Sequence, residues 1–167
     1  MQKESFKTWW FRFWMNLYPM FLGTGGRITF IAADWREVRV RLRLNLWTYN
    51  YVGTIFGGSM FAASDPFYML MLYRTLGPDY VVWDKAAHIR FRRPGKSRLG
   101  AQFLLTEAAL AEIKAKVAAQ GETDYPFTLQ WVDQAGQVHA EVERTVYVAT
   151  KDFYAQKRQA KAAKATS

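Results

Sequence analysis

The fold class that the sequence predicts is α+β: a curved antiparallel sheet wrapped around one long central helix. Three observations predict it. Apolar/polar alternation marks several strands, most clearly "EVRVRLRL" at Glu37–Leu44, where Val38, Val40, Leu42 and Leu44 point one way and Glu37, Arg39, Arg41 and Arg43 the other. The run from Gly58 to about Leu76 is apolar on every side, so a helix there must be covered on most of its faces. The order is a helix, two strands, the buried helix, then four strands with one helix inserted, and 167 residues suffice for one domain with a sizeable core.

Each element has its own warrant. Lys3–Leu22 reads as helix, broken at Pro19. Arg27–Ala32 is a first strand, joined to Glu37–Leu44 by the turn "AADW". The central helix stops at Gly77-Pro78. Val81–Arg92 is a strand closed by "RPG" at Arg93–Gly95, and Leu99–Leu105 is another. Glu107–Gln120 is a surface helix with Thr106 as its cap, a stripe of Leu110, Ile113 and Val117, and Gly121 at its end. Tyr125–Val132 and Gln137–Ala149 flank the turn "DQAG". The expected organisation is an aromatic-rich N-terminal helix (1–22), one domain (23–150), and a Lys- and Ala-rich tail (151–167) that is frayed helix or disorder.

Composition narrows the chemistry. The chain has no cysteine and only His88 and His139, which disfavours thiolate sites, His-based metal clusters and a Ser-His-Asp triad; no metal is expected. The two histidines, without a partner in view, read as structural. A formal charge of +9 favours an anionic partner. Nucleic acid is not expected, because the aromatics fall in apolar runs instead of on a basic platform. No cleavable signal peptide is evident, and Asp65 and Pro66 disfavour a membrane span at Thr54–Leu72, so a cytoplasmic chain is expected. The cluster Trp9, Trp10, Phe11, Phe13 and Trp14 reads as core or subunit contact, with an interfacial membrane helix as the other reading.

The most informative stretch is "NYVGTIFGGSMFAASD" at Asn50–Asp65. Gly57 and Gly58 open the helix, where amides lack internal partners and the dipole is positive. A substrate carbonyl placed there would have its developing oxyanion stabilised. Asp65, about two turns on and roughly 10 Å away by helical rise, is a candidate general base or nucleophile. Asn50 could orient water or the carbonyl through its amide. The plainer reading of Asp65-Pro66 is a helix N-cap with Pro at the first position of a restarted helix, a kink that would also free the Ala62 carbonyl. The plainer reading of the glycines is turn and close packing. Arg90, Arg92, Arg93, Lys96 and Arg98 form the densest basic patch, either a solvated sheet edge or a phosphate-binding site.

The pattern "NxxGTxFGG", followed by Asp65, resembles the acyl-CoA thioesterase branch of the hotdog superfamily and is similar to the phenylacetate-degradation type. The wider set, "LGTGGRI", "GTIFGGSMFAASDPFYMLML", "LGPDYVVWDKAAHIRFRRPG" and "VERTVYVATK", resembles an uncharacterised thioesterase-like family over roughly Tyr18–Lys151. The resemblance implies a hotdog fold and an acyl-CoA substrate hydrolysed with water, coenzyme A entering as part of the substrate and no separate cofactor. It implies Asp65, Asn50, Gly57 and Gly58 as catalytic positions, and Phe56, Thr54, Arg92, Arg93, Lys96 and Arg98 as substrate contacts. Relatives often carry His where this chain has Phe56. It further implies a homodimer, with pairing into a tetramer as an extension, in which Asp65 of one subunit serves the glycines of the other. A non-catalytic acyl-CoA or fatty-acyl binder, or a membrane-surface adaptor, is the alternative.

Overall fold

Alternation and punctuation place the strands, and the computed structural model, which describes residues 3–165, assembles them into one sheet. The strands are β1 (Arg27–Ile31), β2 (Glu37–Leu42), β3 (Tyr80–Phe91), β4 (Leu99–Leu104), β5 (Glu122–Val132) and β6 (Val138–Thr150). They lie in the order β1-β2-β4-β5-β6-β3, every neighbouring pair antiparallel. The helices are α1 (Phe6–Leu17), α2 (Pro19–Leu22), α3 (Gly57–Ala62), α4 (Phe67–Leu76), α5 (Glu107–Gln120) and α6 (Lys151–Ala165). This is the hotdog architecture. The tail expected to fray is the helix α6.

The apolar run folds as two helices, α3 and α4, instead of the single helix expected. Residues 63–66 break it. Ser64 Oγ donates back to the Met60 carbonyl at 2.6 Å, and the indole Nε1 of Trp131 donates to the same carbonyl at 3.0 Å. A carbonyl drawn to side chains in this way is a recognised cause of helix distortion. The freed carbonyl is therefore that of Met60; the Ala62 carbonyl accepts the Asp65 amide at 3.1 Å. Both helices are covered by the sheet. Phe67, Met71, Leu72, Phe103 and Trp131 are fully buried between the layers, each such side chain contributing roughly 1.5–3 kcal/mol by removal from water. Tyr68 stacks on Phe127 at 4.2 Å, and burial pushes its phenol up to about 12.

The sheet has two unlike edges. Along β1, Asn16 of α1 donates to the Ile28 carbonyl (3.0 Å) and accepts the Ile28 amide (2.8 Å), while Glu4 accepts the Ile31 amide (3.2 Å). Side chains thus occupy the free backbone groups of that edge. β3 is the open edge, exposed from Lys85 to His88. The alternating strand β2 is interior, between β1 and β4. Its Glu37 is also buried instead of facing water with the arginines, held by Arg39 and Gln102 at 2.6 Å each. Helix α5 is bounded as its residues predict: the Thr106 hydroxyl accepts the Ala109 amide, and Gly121 adopts the left-handed conformation (φ 81°) that ends it.

Candidate active site

The N-terminal end of α3 opens on a cavity of about 740 Å³. Asn50, Thr54, Phe56 and Gly57 line it from the loop and helix start; Arg92, Arg93 and Lys96 line it from the turn after β3. Most of the predicted site residues therefore meet in one place, although loop and turn are far apart in sequence. Backbone hydrogen bonds join them: the Ile55 amide donates to the Gly95 carbonyl at 2.7 Å. Gly58, Asp65 and Arg98 are not among the lining residues.

The side chains have definite work. Asn50 Oδ1 accepts the amides of Val52 (3.2 Å) and Thr54 (2.9 Å), and its Nδ2 donates to the Thr54 hydroxyl (2.9 Å). Asn50 therefore shapes the loop that carries Thr54, instead of presenting its carbonyl to water. Gly57 and Gly58 seat aromatic rings: a Cβ on Gly57 would stand 2.7 Å from Phe91, and one on Gly58 2.3 Å from Phe56. A side chain at either position would have to displace one of these rings. Among the described residues their amides meet no acceptor, as expected for the first turn of a helix. Phe56 and Phe91 are each about half exposed.

The basic turn is partly committed. Arg92 pairs with Glu141, its Nε at 2.9 Å and Nη2 at 2.5 Å, and Arg93 donates to the Val138 carbonyl at 2.9 Å. Lys96 has no carboxylate partner among the described residues. His139, read from the sequence as structural, anchors this turn: its Nδ1 lies 3.1 Å from the Pro94 carbonyl and its Nε2 3.2 Å from Asp133. Its own carbonyl accepts the amides of Arg92 and Arg93. Arg98 belongs elsewhere, in a group with Arg27, Arg41 and Arg43.

Asp65 lies in the break between α3 and α4. It does not cap α4, whose N-cap is Pro66 without a side-chain hydrogen bond. Its Oδ1 accepts Arg144 Nη2 at 2.7 Å, and the same guanidinium meets Asp84 at 3.2 Å. The Arg144 side chain is 3% exposed and that of Asp65 64%. Burial raises the Asp84 carboxyl above its ordinary range, an effect that Arg144 opposes. Among the described residues, Arg144 Nη1 has no hydrogen-bond partner. Arg144 escaped the sequence reading, yet a signal existed: Ala140, Val142, Val146 and Val148 share its strand parity and are all buried. An arginine on the apolar face of a strand demands a buried anion.

Residues 7–148 match the family described as a domain of unknown function, DUF4442, and the chain belongs to that family. No curated protein matches the sequence significantly. Solved structures share the fold. A Pseudomonas aeruginosa protein of unknown function, described as a probable thioesterase, superposes with a TM-score of 0.74 at 21% identity, over 88% of this chain and 98% of the other. A Haemophilus influenzae thioesterase gives 0.62 at 12% identity (89% and 94% covered), and a mutant of a Pseudomonas aeruginosa thioesterase gives 0.59 at 12% (81% and 88%).

Proposed function

We propose that this DUF4442 member hydrolyses acyl-CoA or a related acyl thioester at a site shared between two subunits. One observation carries the proposal. The helix start at Gly57, with amides that meet no acceptor among the described residues, and the basic turn at Arg92–Lys96 open on a single cavity, which suits a thioester carbonyl at one end and phosphates at the other. In the reaction, Asp65 accepts a proton from water as the water oxygen bonds to the thioester carbon. The carbonyl oxygen takes the negative charge beside the helix start. The C–S bond then breaks, and the thiolate leaving group takes that proton from Asp65. Arg144 holds the Asp65 carboxylate in place.

The open edge supports the sharing. Gly57 lies under Phe91, near the end of β3, whereas Asp65 lies with Asp84 through Arg144, nearer its start. A two-fold axis between Ala87 and His88 would pair two β3 strands antiparallel. It would set the Asp84 end of one subunit beside the Phe91 end of its partner, bringing Asp65 towards the other subunit's glycines. Ala86 and Ala87, small and exposed at the middle of the strand, would let the two backbones approach.

A second reading, binding without turnover, is favoured by Phe56, whose ring covers Gly58. Thioester hydrolysis measured across acyl lengths, with acyl-CoA binding measured in parallel, separates the two. Turnover that disappears in Asp65→Asn is the expected result; tight binding with no turnover at any length would establish the second reading. The sharing has its own test. Mixing Asp65→Asn subunits with Gly58→Phe subunits should restore part of the activity, and continued inactivity after confirmed subunit exchange would exclude a shared site.

A further inference from the structure

The aromatic residues of α1 point away from the domain. Phe6, Trp9, Trp10, Phe13 and Trp14 are between 41% and 77% exposed, and their rings touch in sequence with centroids 5.6–6.5 Å apart. The opposite side of the helix makes the contacts with the domain: Thr8 is buried, Phe11 meets Trp35, and Asn16 holds β1. Of the cluster expected to be core or subunit contact, only Phe11 therefore packs on the core of this chain. The helix is firmly placed, with a Ser5–Thr8 capping box and a Glu4–Arg12 pair. A fixed row of half-exposed rings that the described residues leave uncovered indicates a surface with a partner.

Beside the end of this helix is a second cavity, of about 600 Å³. Leu22 and Trp47 contribute apolar walls; Arg27, Arg41 and Arg43 contribute charge. Arg98 completes the cluster. Among the described residues none of the four arginines is paired with a carboxylate, although the structure pairs other arginines readily. Burial and then the neighbouring Arg43, Arg98 and Arg27 depress the Arg41 guanidinium. Trp47, which lines the cavity, and its neighbour Leu46 are 83% and 97% exposed.

We propose that the outward face of α1 and α2, together with this arginine cavity, docks on an anionic phospholipid surface. Tryptophan and phenylalanine suit the boundary between headgroups and acyl chains, and guanidiniums bind lipid phosphates beside it. A helix of this kind lies in the interface, and no described helix is long and apolar enough to cross a membrane. Charge argues for lipid over a second copy: a two-fold contact through this face would bring one unpaired arginine cluster towards another. A free phosphate would fill the cavity and leave the aromatic row uncovered. The inference is independent of whether the chain hydrolyses thioesters.

The test is flotation of the full chain with vesicles of phosphatidylcholine alone and of phosphatidylcholine mixed with phosphatidylglycerol. Binding is expected on the mixed vesicles, weakening with salt, and at least about tenfold weaker on the neutral ones. Arg41→Gln with Arg43→Gln, and separately Trp10→Ser with Trp14→Ser, should each weaken binding by about tenfold while thermal melts confirm a folded chain. Brominated lipid should quench wild-type tryptophan emission. Equal binding to both vesicles, or none to the mixed vesicles at low salt, would overturn the proposal. So would a tryptophan variant that changes sedimentation mass but not vesicle binding, which would assign the face to self-association.

Discussion

Arg144 and Arg41 belong to the same sheet and live under opposite electrostatics. Arg144 is almost wholly buried on β6, and two carboxylates, Asp65 and Asp84, meet it. Arg41, half-buried on β2, has Arg27, Arg43 and Arg98 as its charged neighbours. Removing a guanidinium from water costs free energy in both places, and only the first is offset within the chain. Arg144 is thus accounted for by folding and by its hold on Asp65. Arg41 is a charge kept at some expense, which makes sense if an anion outside the chain uses it.

The comparison breaks most visibly at Arg144. Arg144→Ala strands the partly buried Asp84 carboxylate beside Asp65, and the expected loss is about 3–5 kcal/mol, measured by urea unfolding. A loss below about 1 kcal/mol would mean that the cluster is not structural. Asp65→Asn should separate function from stability. Its carboxylate is mostly exposed and Asp84 stays with Arg144, so stability should fall by less than about 1 kcal/mol, while any hydrolysis drops by about a hundredfold or more.

Arg41→Gln sharpens the other side. It relieves both burial and like-charge repulsion, so the melting temperature should hold or rise, by the equivalent of a few tenths of a kcal/mol, with the gain largest at low salt. A clear fall would reveal a partner for Arg41 within the fold. The smallest effect concerns an ordinary surface acid. Hydrogen bonds from Lys157 and then Tyr147 hold the Glu122 carboxyl below its usual range. A depressed carboxylate stabilises above its unfolded pKa and loses that contribution as pH falls through the folded value. Melting temperatures of wild type and Glu122→Gln should therefore differ slightly at neutral pH and converge in acid.

Much of the fold was legible because its signals are local. Alternation marked β2, Thr106 and Gly121 bounded α5, and Pro19 divided α1 from α2. The break near Asp65 was legible as a kink, but its cause was not: capping preferences pointed to Asp65 as the N-cap of a restarted helix, whereas Trp131, far away in sequence, draws on the Met60 carbonyl. The candidate site divided in the same way. Spacing brought Asn50, Thr54, Phe56 and Gly57 together, and the basic turn joined them through the Ile55–Gly95 hydrogen bond, a tertiary contact without a local signature. Proximity in sequence grouped Arg98 with the basic turn, whereas it does not line this cavity and its charge acts on Arg41. α1 was ambiguous because it is apolar on two sides, and composition does not tell which one the domain covers.

The unlike edges of the sheet also set how far association can run. Asn16 and Glu4 occupy backbone groups along β1, so among the described strands β3 is the edge left available for a neighbour. Two chains joined edge to edge through β3 would consume both free strands and leave a blocked strand at either extremity. Growth by strand addition then terminates at a pair. The polar contacts of α1 thus act as a stopper against fibres, the hazard that an open strand otherwise carries in a concentrated cell.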